Sequence, residues 1–169
     1  SDPKNISNEK KRNDMLCELL RSIDMQDNVH FKFLVINGHD RIGDVSLTNQ
    51  IIQQSKLKSI EIIPYQKETK SMWNAIKGCD FIISTRLHAA IFSCFADVPF
   101  MLNEYHRKCG DFLETIGYEN SYRLYDSEYS VKEKAQTVLE IINKNNYTIP
   151  TLKELALKKA ELNFTMVDI

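Results

Sequence analysis

The sequence predicts an α/β protein, an open and mainly parallel sheet of about five strands with helices on both faces, Rossmann-like in plan. Three observations carry that prediction. Short apolar runs that read as buried strands alternate along the chain with amphipathic helical stretches, the links between them are short, and the helical stretches have apolar faces wide enough to cover a sheet. At 169 residues the chain has the size of one domain.

The elements follow in order. Residues 1–8 are polar, include Pro3, and read as a tail or incoming loop. From Glu9 to Met25, Leu16, Leu19, Leu20 and Ile23 recur at helical spacing and form one apolar face. Phe31–Ile36 is an apolar run stopped by Asn37 and Gly38, the pattern of a buried parallel strand and its turn. Asp44 or Ser46 is placed to cap a helix reaching Gln54, with Val45, Thr48 and Ile52 on one side and Leu47 and Ile51 beside them. Ile60–Pro64 is the next strand, and Thr69–Lys77 a helix around Met72, Trp73 and Ile76 with Gly78 as its C-cap.

The stretch from Cys79 to Gly117 then reads strand, helix, strand, helix. Beyond it come a short strand near Tyr122–Tyr125 and a helix from Ser130 to Lys144, with Val131, Ala135, Val138 and Ile142 inward. Pro150 breaks the chain, and a last helix from Leu152 to Leu162 is expected to pack through Leu152, Leu155 and Ala156.

A net charge of -1 with acids and bases interspersed gives no footing for nucleic acid or an acidic membrane. Cys17, Cys79, Cys94 and Cys109 lie far apart with no CxxC pair, which reads as reduced thiols in a cytoplasmic protein. No segment approaches the roughly 20 apolar residues of a membrane span, and the first residues are too polar for a signal peptide.

Several familiar sites are set aside. Gly38 and Gly43 have P-loop spacing, but Asp44-Val45 stands where Lys-Ser/Thr is needed, and a carboxylate there repels phosphate. There is no GxGxxG, so no dinucleotide cofactor is expected. His39, Asp40 and Asp44 lie in one loop but match neither zinc nor calcium spacing, and no metal is expected.

The polar residues that remain gather at strand ends. The apolar run Phe81–Ile83 stops at Ser84 and Thr85, and a helix then begins with Arg86 and His88 in its first turn. The strand Pro99–Asn103 ends in the same way, delivering Tyr105, His106, Arg107 and Lys108. Carboxyl ends of parallel strands are where open α/β sheets bind ligands, and a helix N-terminus there favours an anion. Arg86 and Lys108 are suited to grip a phosphate or carboxylate, and His88 has the ordinary pKa for proton transfer near neutrality. The plainer alternative makes Arg86 a cap on a neighbouring carbonyl and His88 a satisfied histidine.

These residues also carry a resemblance. Asp80 and its apolar strand, Ser84-Thr85-Arg86-Leu87-His88-Ala89, the Val98-Pro99 strand, Tyr105-x-x-Lys108 and Ile116-Gly117 together resemble the C-terminal hallmark of polysaccharide pyruvyltransferases. The resemblance implies the C-terminal half of a two-domain fold similar to B-type glycosyltransferases. It implies transfer of the enolpyruvyl group of phosphoenolpyruvate to a sugar or lipid-linked saccharide, with Arg86, His88 and Lys108 handling the donor and Ser84, Thr85 and Tyr105 lining its site.

In that comparison the N-terminal domain is missing, and residues 1–8 do not read as the strand expected ahead of the first helix. A slot or edge in the sheet is therefore expected, which a second copy of the chain would fill as a homo-oligomer. Two other functions compete. One is a nucleotide-sugar glycosyltransferase, with Glu104 or Glu114 as the ribose ligand; the other is a non-catalytic anion-binding or partner-binding module.

Overall fold

A computed structural model describes residues 3–26, 28–39 and 43–165. Helix α1 (Pro3–Gln26) leads into strand β1 (Phe31–Leu34), and α2 (Val45–Ser55) crosses to β2 (Ile60–Ile63). Helix α3 (Thr69–Lys77), β3 (Ile82–Ser84), α4 (Leu87–Phe95), β4 (Phe100–Leu102) and α5 (Arg107–Thr115) follow. A 3-10 turn (Asn120–Tyr122), α6 (Val131–Lys144) and α7 (Lys153–Thr165) end the chain. The expected tail is already helical from Pro3 onward, because a proline in the first turn gives up an N–H that has no helical partner there anyway. Ser1 and Asp2 lie outside the described residues.

The α/β class and the parallel pairing are those the sequence predicts. β1 pairs with β2, Phe31 opposite Ile60, and β3 pairs with β4, Ile82 opposite Phe100. The four strands nevertheless form two separate two-stranded sheets. A cavity of about 620 Å³ lies between β1 and β3, so the slot expected from the sequence is present. The strand expected near Tyr122–Tyr125 contracts to the 3-10 turn and one parallel bridge, Leu124 to Asn103. Its N–H groups are used locally: Tyr122 donates to Glu119 O at 3.1 Å and Arg123 to Asn120 O at 3.2 Å.

The core centres on β4, whose Phe100, Met101 and Leu102 are fully buried. Phe100 and Leu102 pack on one face with Met72, Ile76, Cys94 and Leu113, and Met101 meets Leu19, Ile23 and Val138 on the other. Each such side chain contributes about 1.5–3 kcal/mol through burial. This is why β4 reads as continuously apolar rather than alternating.

Two packing expectations need correction. In α2 it is Ile51 that is buried and Val45 that is 53% exposed. In α7, Leu152 and Leu155 are exposed, Ala156 rests on the core, and Lys153 turns inward with its ammonium 2.5 Å from Asp97 Oδ1. The start of α7 is fixed by backbone bonds, Leu152 N–H donating to Ile116 O at 2.9 Å and Thr151 N–H to Gly117 O at 3.4 Å. Gly117 has φ 64, and a β-carbon there would meet Thr151 Oγ1 at 2.3 Å. Gly117→Ala is expected to cost about 1–3 kcal/mol, measured as a lower urea midpoint at unchanged slope.

All four cysteines are free thiols; Cys17, Cys94 and Cys109 are buried and Cys79 is partly exposed. Burial pushes every thiol up, that of Cys94 to about 11. In the folded protein, iodoacetamide is therefore expected to label Cys79 first and faster with rising pH, as the thiolate fraction grows, and to reach the other three only on unfolding. Mass spectrometry of the labelled peptides reads the order.

Candidate functional site

β3 and β4 end at the same level, because Ser84 pairs with Leu102 and the Asn103 N–H donates to Ser84 O at 2.8 Å. The segments that leave them, Thr85–His88 and Tyr105–Lys108, therefore emerge from one edge, as expected. Ser84 is buried, and its hydroxyl is used in the turn itself: it accepts the Arg86 N–H at 2.9 Å and donates to the Arg86 carbonyl at 2.7 Å. That turn sets extended backbone at Arg86, the N-cap of α4, and puts the exposed His88 in the first helical turn. No side chain caps this helix end, so its first N–H groups point outward unpaired by a cap. Thr85 is half-buried beside them.

The guanidinium of Arg86 is held by Asp44. Its Nε lies 2.8 Å from Asp44 Oδ1, and an Nη of the same group makes a still closer contact with that oxygen. The second oxygen, Oδ2, accepts the Asn37 N–H at 2.8 Å, while the Asp44 N–H donates to Asn37 O at 2.9 Å. Asp44 thus ties the loop after β1 to the start of α4. It is the backbone N-cap of α2 but makes no capping hydrogen bond with its side chain, contrary to one reading of the sequence. The carboxylate is engaged elsewhere. The Arg86 side chain stays 40% exposed against 10% for Asp44, so part of it is accessible from solvent.

On the second arm, His106 caps α5, its Nδ1 accepting the Lys108 N–H at 3.2 Å. Lys108 is exposed, and among the described residues neither its ammonium nor the His88 imidazole has an ion-pair or hydrogen-bond partner. Tyr105 is 37% exposed. The Arg12 guanidinium, from α1, sits 5.0 Å from its ring centre and is itself held by Asp126, Nε to Oδ1 2.5 Å. Tyr105 therefore presents only part of its surface to the edge.

Beneath this arm lies a buried ion pair that the sequence reading missed. Arg123 donates to Glu104 from Nε at 2.8 Å and Nη2 at 2.5 Å, with both side chains about 90% buried. The hydrogen bond to Glu104 raises the Arg123 pKa further above its ordinary value. Glu104, one of the two candidates for a ribose ligand, is thus engaged in the interior, and Glu114 lies 4.0 Å from the same guanidinium.

The Gly38 and Gly43 spacing has a steric reason. A β-carbon on Gly38 would meet the Tyr65 ring at 2.3 Å, and one on Gly43 would meet His39 O at 2.3 Å and Asn37 O at 2.7 Å. Of the loop residues weighed as metal ligands, Asp40 lies outside the described residues, and among those described no group of three or more His, Cys, Asp or Glu converges.

A family model described as polysaccharide pyruvyl transferase matches residues 2–107. The chain belongs to the polysaccharide pyruvyl transferase family. The matched span contains Asp44, Arg86, His88 and Tyr105 and ends beside Lys108. No curated protein and no solved structure matched the chain. Membership in the pyruvyl transferase family places the chain among transferases at the family level. No helix in the described residues is long and apolar enough to cross a membrane.

Proposed function

We propose that this chain is the donor-binding, C-terminal half of a polysaccharide pyruvyltransferase. It would bind phosphoenolpyruvate at the edge carrying Arg86, His88 and Lys108, in the cytoplasm, and serve a sugar or lipid-linked saccharide acceptor of a cell-surface polysaccharide. The observation that carries the reading is the family match over residues 2–107. The partly exposed Arg86 and the unpartnered Lys108 support it, since enol phosphate, carboxylate and departing phosphate are all anionic.

The chemistry suits these residue types. Proton transfer to the methylene carbon of phosphoenolpyruvate leaves an oxocarbenium-like carbon, which one sugar hydroxyl attacks. A second hydroxyl then closes the ketal as the C–O bond to phosphate breaks. Of the two hydroxyl protons released, one balances the new methyl group and the other leaves with phosphate. His88 is the group assigned to proton transfer, while Arg86 and Lys108 hold the anionic groups. Ser84 acts through the turn that positions Arg86, and Thr85 and Tyr105 line the site.

The test is a balance of products in the intact enzyme: phosphate released and ketal formed in equal amounts from phosphoenolpyruvate and acceptor. A thermal shift with uridine nucleotides but none with phosphoenolpyruvate would instead favour a nucleotide-sugar glycosyltransferase. Absence of both would leave a non-catalytic binding module.

A further inference from the structure

Helical spacing puts Arg12 on the face of α1 that Leu16, Leu19 and Ile23 turn to the core, one turn ahead of them. An arginine thus stands where the apolar stripe would continue. Residues 6–11 of the helix are exposed and Asn13 is buried, so Arg12 is where α1 comes onto the body. It meets the ligand edge there. Its guanidinium carbon is 5.0 Å from the centre of the Tyr105 ring, and its Nε is 2.5 Å from Asp126 Oδ1. These contacts leave its side chain 17% exposed against 34% for Asp126.

Asp126 is a fixed anchor. Its φ of 49 lies in the left-handed region, which aspartate adopts more readily than most residues. Its N–H donates to Leu124 O at 2.9 Å, and its carbonyl accepts from the buried Asn103 through Nδ2 at 3.3 Å. The same Leu124 O accepts the Glu104 N–H at 2.9 Å, so the anchor and the segment that carries Tyr105 hang from one carbonyl. Arg12 closes the ring, from Asp126 back to Tyr105.

An ion pair of this exposure adds little to stability, so its geometry matters more than its energy. The Glu104–Arg123 pair locks the backbone ahead of Tyr105, yet a half-exposed ring keeps a choice of rotamers that backbone alone does not remove. A ring that swings between rotamers must be ordered each time a ligand binds, and that ordering weakens binding. A planar guanidinium over its face, itself held by a carboxylate, removes the choice beforehand.

We propose that Arg12 is a positioning residue of the ligand edge: held by Asp126, it fixes the Tyr105 ring in one rotamer before the donor arrives. The effect on phosphoenolpyruvate rests on the reading of this edge as the donor site; the effect on the ring does not.

Two measurements test it. In the 169-residue chain, the two Hα–Hβ couplings of Tyr105 read by NMR should be unequal, as for a single rotamer, and should converge in Arg12→Ala and in Asp126→Asn. Asparagine tolerates the left-handed backbone at 126, so this second variant removes the charge and keeps the turn. Couplings that stay unequal in both variants, or that are already averaged in the parent, overturn the proposal. In the intact enzyme, Arg12→Ala should raise KM for phosphoenolpyruvate about fivefold or more while kcat changes less than about twofold. In a Tyr105→Leu background the same substitution should add nothing further. Additive effects would make Arg12 a direct ligand contact, and a lower Tm with unchanged KM would make it a fastening of α1 alone; either result overturns the proposal. If the parent enzyme does not turn over phosphoenolpyruvate, the donor reading fails, and the couplings still decide whether Arg12 fixes the ring.

Discussion

Arg86→Ala is expected to lower kcat/KM for phosphoenolpyruvate in the intact enzyme by about 10²–10³-fold, the usual cost of losing a charged partner at a partly desolvated anion site. Asp44, with its side chain only 10% exposed, would be left without its counter-ion, so some stability goes as well. Arg86→Lys separates the two effects. It keeps the charge but loses the fork that reaches Asp44 from Nε and Nη together, so its Tm should stay nearer the parent than its kcat/KM does. His88→Ala should leave the fold intact, since the ring is exposed and unpartnered, and lower kcat by about 10²–10⁴-fold. If His88→Ala turns over at the parental rate while Arg86→Ala is dead, proton transfer belongs to another group.

Arg123→Met should produce the largest loss of stability. It leaves the Glu104 carboxylate, 9% exposed, in the interior with no cation, at a cost of about 3–5 kcal/mol. In a domain of this length each kcal/mol moves Tm by roughly 2–4 °C, so the fall should be plain in any thermal scan. The double variant Arg123→Met with Glu104→Leu removes both charges and should recover much of the loss. A single variant as stable as the parent would mean that the pair adds nothing to the fold. Because Glu104 lies between β4 and the Tyr105–Lys108 segment, the single variant should also loosen that arm of the site.

How much of this was legible in the sequence depends on the range over which each feature is decided. β4 was plain within Pro99–Asn103 because its centre, Phe100–Leu102, is buried on both faces and has no polar residue to confuse it. His88 falls in the first turn of α4 as expected and Arg86 sits one residue ahead of it as the N-cap, because the halt at Ser84 and Thr85 fixes where α4 begins, a matter of a few residues. The partner of Arg86 was not legible: Asp44 lies 42 positions away, and nothing in its local pattern separates an ion-pair ligand from a helix cap. Arg12 and Asp126 were invisible for the same reason. Leu152 and Leu155 were expected inward and are exposed because the start of α7 is fixed by backbone bonds to Ile116 and Gly117, which set its rotation independently of apolar spacing. The separation of the sheets was foreseen only as a slot, since a strand's composition is the same whether one edge or both are paired.

If the edge binds the donor as proposed, the contact between Asp44 and Arg86 would make it selective by valence. A carboxylate tethered beside the guanidinium acts like a ligand held at very high local concentration, so a singly charged anion free in solution gains little by replacing it. A doubly charged group that also reaches Lys108 or the first N–H groups of α4 gains contacts that Asp44 does not make. Chloride and acetate at ordinary strength would then bind poorly, whereas a phosphate ester, with its second charge, would compete better.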